Sequence, residues 1–91
     1  MLLATIVGSV TATRKAETLS GYKFLLVRPH GAKAPHTQSD DLFVAVDLLG
    51  AGVGEEVIVA TGRAARIAIG KEDVPVDAAI VGIVDGTFGI D

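Results

Sequence analysis

The side chains able to do chemistry are few, and their spacing disposes of most of what they could do. His30 and His36 share one stretch with Asp40 and Asp41, residue types that together can ligate a divalent metal. Glycine and proline between them favour a pliable, solvated loop over a rigid ligand cage, so no metal is expected. Gly50-Ala51-Gly52-Val53-Gly54 invites a dinucleotide reading, but that turn needs Gly-x-Gly-x-x-Gly opening a helix, and here a strand-like run follows. Gly70-Lys71 is followed by Glu72 rather than by a Ser or Thr to hold magnesium, so a phosphate-binding loop fails as well. The chain has no cysteine, which removes disulfides, thiolate catalysis and cysteine-ligated centres. No serine, histidine and acid set has a spacing that suggests a nucleophilic triad. Neither catalysis nor a cofactor is expected.

What remains is backbone chemistry at a joint. In Ala45-Val46-Asp47-Leu48-Leu49-Gly50-Ala51-Gly52-Val53-Gly54, Asp47 is a short acceptor placed just before exposed backbone amides. Gly50, Gly52 and Gly54 are expected to supply positive φ or a close backbone approach, and a β-branched residue where φ is positive would cost about 1 to 3 kcal/mol. The joint separates two extended runs, so it shapes a β scaffold.

The elements around it read as follows. Leu2 to Thr13 alternates, with Ile6, Gly8, Val10 and Ala12 on one side, and forms a first strand. Arg14 to Gly21 is a polar connection. Tyr22 to Arg28 is a second strand, apolar on both faces, which Pro29 should end. His30 to Asp41, which contains Pro35 and little apolar side chain, is a loop. Leu42 to Val46 and Glu56 to Thr61 are the third and fourth strands. Arg63 to Ala68, rich in alanine and arginine, favours one or two helical turns. After a turn at Gly70 to Asp73, Val76 to Val84 is a fifth strand that wants both faces dry, and Gly82 within it marks a bend or a close contact. Asp85 to Asp91 could add an edge strand or reach onto a neighbour. The fold expected is a mainly β, small five-stranded barrel with one short helix.

At 91 residues the sequence is one domain, 1–91, and a chain of that size buries only about 60 to 65% of its unfolded surface. Yet 49% of it is hydrophobic and mean hydropathy is +0.51, more apolar side chain than one small core hides. Shared surfaces between copies are the simplest remedy. No apolar run approaches the roughly 20 residues of a membrane span, and the opening Met1–Val7 lacks a basic leader, so no membrane is expected and the cytoplasm is. A net charge of -3 with acids and bases interspersed disfavours a nucleic-acid partner. An OB-like nucleic-acid-binding module is the main alternative, but it would need a basic groove and stacking aromatics, and only Tyr22, Phe24, Phe43 and Phe88 are present.

Five collinear stretches carry a resemblance. They are V-G-S-V-T-A-T-R-K, L-S-G-Y-K-F-L-L-V-R-P, A-V-D-L-L-G-A-G-V-G-E-E-V, G-R-A-A-R and V-D-A-A-I-V-G-I-V-D. Together they resemble the bacterial microcompartment vertex family, the EutN/CcmL family. Its members are small OB-like β-barrels that assemble as pentamers and close the fivefold corners of protein shells. The resemblance implies a homopentamer, hexameric shell proteins as partners, and a structural role with no cofactor. The number five comes from the resemblance alone. Within it, Asp47 is expected to anchor the glycine joint or to be an ordinary turn aspartate. Arg66 is expected to bridge a subunit seam or to lie solvated on its helix. Gly62-Arg63-Ala64-Ala65 is expected nearest the symmetry axis, where small residues let subunits converge.

Overall fold

A computed structural model describes residues 1–30, 42–71 and 73–86. Along the chain come β1 (Leu2–Val10), β2 (Lys23–Pro29), β3 (Phe43–Asp47), β4 (Glu56–Thr61), α1 (Arg63–Ile69) and β5 (Ala78–Ile83), with a 3-10 turn over Glu17–Leu19. The strands close on themselves in the order β1-β2-β3-β5-β4, with β4 returning to β1. This is the mainly β, five-stranded barrel with one short helix that the alternation implies. Every ladder is antiparallel except β3–β5, a short parallel pairing of Val46 with Ala79 and Asp47 with Ile80.

Alternate residues fill the barrel because successive side chains on a strand point to opposite faces. Ala4 and Ile6 from β1 meet Leu25 and Val27 from β2, Val57 and Val59 from β4, and Ile80 from β5. Full burial of one such aliphatic side chain contributes roughly 1.5 to 3 kcal/mol. A second cluster lies outside the barrel, where Val46, Val74 and Val76 pack with Leu19, Tyr22, Phe24 and Ile69. It ties the 3-10 turn, the end of α1 and the approach to β5 onto the outer face of β2 and β3. On the remaining flank α1 lies against β4 and β5. Its contact there is made of alanines: Ala60 and Ala79 oppose one another across the ladder, and Ala65 is the buried residue of the helix. Small side chains let helix and sheet come close.

Several expectations change in detail. Two bulges reset the alternation, one in β1 between Ile6 and Gly8, the other in β5 opposite Ile58 and Val59. The first leaves Ser9 opposite Leu25 and Val10 opposite Phe24, so Val10 does not share the face of Ile6. One extra residue is enough, since a slip of one flips every later side chain. Pro29 closes β2, but as a member of the ladder: it pairs with Ala4, and the His30 amide beyond it donates to the Leu3 carbonyl at 2.8 Å. As the last residue of its strand, Pro29 needs no donor. β5 begins at Ala78, two residues later than expected, because the Val76 amide turns back to the Val74 carbonyl across Pro75. Gly82 is a close contact, since a Cβ there would sit 3.1 Å from Ile58 Cδ1. Most of the loop His30–Asp41, the residue Glu72 and the tail Thr87–Asp91 lie outside the described residues.

Candidate assembly surfaces

Among the described residues no group of three or more His, Asp or Glu side chains could hold a metal. Of the set considered from sequence, His36, Asp40 and Asp41 lie outside the described residues. His30 is described, and its ring Nε2 is hydrogen-bonded to the Thr5 hydroxyl. The surfaces that stand out are a braced loop, a helix face and an apolar groove.

The loop follows β3. Asp47 opposes Lys23 in the β2–β3 ladder, and its side chain is 1% exposed. Three successive amides turn toward its carboxylate: Leu49 donates to Oδ1 at 3.0 Å, Gly50 to both oxygens at 3.1 Å, and Ala51 to Oδ2 at 3.0 Å. The chain has wrapped its own anion in a nest of backbone donors. Lys23 Nζ stands 3.8 Å from Oδ2, but Lys23 is largely exposed, so solvent screening leaves that pair a small contribution. Gly50 and Gly54 adopt φ of 86° and 95°, the left-handed region that favours glycine. Gly52 does not share that role. Its φ is not positive, and a Cβ there would meet only Glu55 Oε1, at 3.9 Å. Its amide instead donates to Glu55 Oε1 at 2.7 Å, while the Glu55 amide returns to the Gly52 carbonyl at 3.1 Å. The turn is then sewn to β1, with Gly54 donating to the Ile6 carbonyl and Ile6 to the Glu55 carbonyl.

Helix α1 enters through Gly62, whose amide donates to the Asp77 carbonyl at 2.7 Å and so pins the helix to the start of β5. Arg63, Ala64, Ile67 and Ala68 share the exposed face, whereas Arg66 is half-buried. Ala65 departs from its expected place near a subunit contact: it is fully buried against its own barrel and withdrawn from any surface. The helical phase places Ala64 and Ile67 one way and Ala65 and Ile69 the other.

The groove, of about 210 Å³, is lined by Leu19, Phe24, Val44, Val46 and Val76 together with Asp77. Sequence reading missed it because its walls come from four separate segments that only the barrel order brings together. The aromatics an OB-like nucleic-acid module would need are otherwise engaged. Tyr22 and Phe24 pack in the outer cluster and Phe43 against the barrel core, while Phe88 lies outside the described residues.

Comparison with known proteins fits this geometry. A profile of the family described as "Ethanolamine utilisation protein EutN/carboxysome" matches residues 1–85. The shell vertex protein GrpN of Rhodospirillum rubrum is 46% identical over 85 residues, covering 93% of each chain. The carboxysome shell vertex protein CcmL of Thermosynechococcus vestitus is 44% identical over 85 residues, covering 93% of this chain and 84% of its own. Among solved structures, the GrpN pentameric microcompartment shell protein superimposes with a TM-score of 0.79 at 40% identity over the whole of both chains. An ethanolamine utilization protein EutN does so with a TM-score of 0.85 at 34% identity, over 98% of this chain and 91% of that one. None of these relatives is described as a nucleic-acid-binding protein. A sequence match over residues 1–85 and structural similarity along nearly the whole chain together place it in the EutN/CcmL family.

Proposed function

We propose that this protein is a structural, non-catalytic subunit that assembles as a homopentamer and caps the vertices of a bacterial microcompartment shell within the cytoplasm. The observation that carries the reading is the near-complete match, at 46% identity over 93% of both chains, to a shell vertex protein. The physical side agrees. Ile67 and Val53 stand 64% and 66% exposed, and Val44 is 44% exposed on the outer face of β3. For a chain of 91 residues that is much apolar surface to leave wet. A fivefold ring of wedge-shaped subunits, inserted in a sheet of hexagonal tiles, removes one sector and forces curvature, so the mechanism is geometric.

In this reading Gly62, Arg63, Ala64 and Arg66 lie at or near the subunit seam. The braced loop of Asp47, Gly50, Gly52 and Gly54 keeps the barrel end rigid. The outer rim docks on hexameric shell proteins, with exposed Lys15, Glu17 and Asp73 setting the register. No nucleic acid, membrane or cofactor takes part, and among the described residues no helix is long and apolar enough to cross a membrane.

Native mass measurement in physiological salt is expected to find five copies of the 9.3 kDa chain, and a lone chain at every concentration would refute the pentamer. Removing the protein from its host is expected to give shells that are elongated or open at their corners. Regular closed polyhedra in that deletion would refute the vertex role.

A further inference from the structure

We propose that helix α1 of one copy seats in the apolar groove of the next, with Ile67 entering between Phe24 and Val44 and Arg63 facing Asp77. This rests on the pentameric reading. It adds which two surfaces make the seam.

A cyclic ring of five joins head to tail, so each chain must present two different surfaces that fit one another. One of them is the groove, concave and apolar, with Asp77 among its lining residues. Its counterpart must be convex, apolar and basic. The outward face of α1 has these properties: Ile67 is 64% exposed, Ala64 and Ala68 beside it are small enough for close approach, and Arg63 lies one turn before Ile67 on the same side. The other exposed apolar groups match less well. The loop tip at Val53 brings Glu55 with it, a like charge to Asp77. Leu3 lies on the flat outer face of β1 and β4, where Thr5 stands between Arg28 and Glu56 and the charges offset.

Placement agrees with shape and charge. The groove lies over β2, β3 and the approach to β5 and the helix beside it over β4 and β5, with Ile69 at the helix end packed among the groove's Val46 and Val76 while the outward face of Ile67 stays free of it. They converge where the Gly62 amide meets the Asp77 carbonyl. Two seam surfaces that meet at one corner describe the narrow end of a wedge, the part of a ring subunit that points to the axis.

The test is a charge exchange between two residues on different flanks. Ile67→Lys and Val44→Glu are each expected to raise the dissociation constant of the ring about 30-fold or more, the loss typical of an anchor residue. The double variant is expected to recover most of that loss. Both positions are exposed, so each variant should keep the wild-type circular dichroism spectrum, and Arg63→Glu supplies a third, fold-neutral variant expected to weaken the ring. Val53→Lys is expected to leave the mass unchanged. If Ile67→Lys and Arg63→Glu both sediment as the wild-type ring, the helix seat is wrong while the pentamer stands. If Val53→Lys alone dissociates it, the seam belongs to the loop and the proposal falls. Wild type running as a single chain would remove the pentamer and the seat together.

Discussion

Asp47 shows how one side chain can stand in for several turns of secondary structure. A chain leaving β3 has amides at Leu49, Gly50 and Ala51 with no strand to pair with, and the buried carboxylate accepts all three. Hydrogen bonds to a charged acceptor contribute more than neutral ones, and removing the acceptor leaves donors unmet. Asp47→Ala is therefore expected to cost about 2 kcal/mol, with Asp47→Asn keeping part of it. For a domain of this size that lowers the melting temperature by on the order of 10 °C, read by thermal melts at one fixed protein concentration because assembly itself adds stability. The glycines divide by backbone conformation. Gly54→Val, at a φ of 95°, is expected to destabilise by about 1 to 3 kcal/mol, while Gly52→Ala should stay within about 0.5 kcal/mol of wild type in the same melts. Asp47 was legible in the sequence because an aspartate readily bonds amides two and three residues on. The difference among the glycines was not, since spacing says nothing about the sign of φ.

At the scale of elements, Gly82 couples β5 to β4. A Cβ there would stand 3.1 Å from Ile58 Cδ1 and 3.5 Å from its Cβ, so a branched side chain must push Ile58 off its place. Gly82→Val is expected to cost about 1 to 3 kcal/mol. Adding Ile58→Ala should make the two losses less than additive in a denaturant-based double-mutant cycle, and strict additivity would show that the close contact carries no energy. Strand β4 was readable to the residue, and α1 nearly so, because alternation and alanine-rich helical propensity agree there with the tertiary environment. The bulges in β1 and β5 were not readable. The one in β5 falls in a run apolar on the two faces, where a one-residue slip leaves the hydropathy pattern unchanged, and the one in β1 falls at Val7 and Gly8, where an apolar side chain on the polar face and a residue with no side chain blur the alternation. The outer cluster was equally hidden, since Leu19, Phe24, Val46 and Val76 meet only after β5 has been inserted between β3 and β4.

For the whole molecule, Arg66→Ala is the variant expected to separate folding from assembly. Arg66 sits half-buried in the last turn of α1, where a cation complements the helix dipole by roughly 0.3 to 1 kcal/mol. Arg66→Ala is expected to lower the melting temperature only slightly but to shift sedimentation from ring toward single chains. An unchanged mass across a dilution series would show that Arg66 serves the barrel alone. Single-chain reading carried the architecture this far because the excess of apolar residues already called for neighbours. It could not choose the surfaces, since the groove is an accident of strand order rather than of any contiguous motif.

The closure of the sheet has one more effect. A barrel without a free rim offers no row of unpaired amides on which a foreign strand could grow, so copies crowded as the proposed shell corner requires remain discrete particles and do not knit into fibres. The parallel lock between β3 and β5 spans just two rungs, and its opening would bare such a rim. Deuterium uptake at the amides that bridge β3 and β5 thus reports how often the molecule breathes toward aggregation.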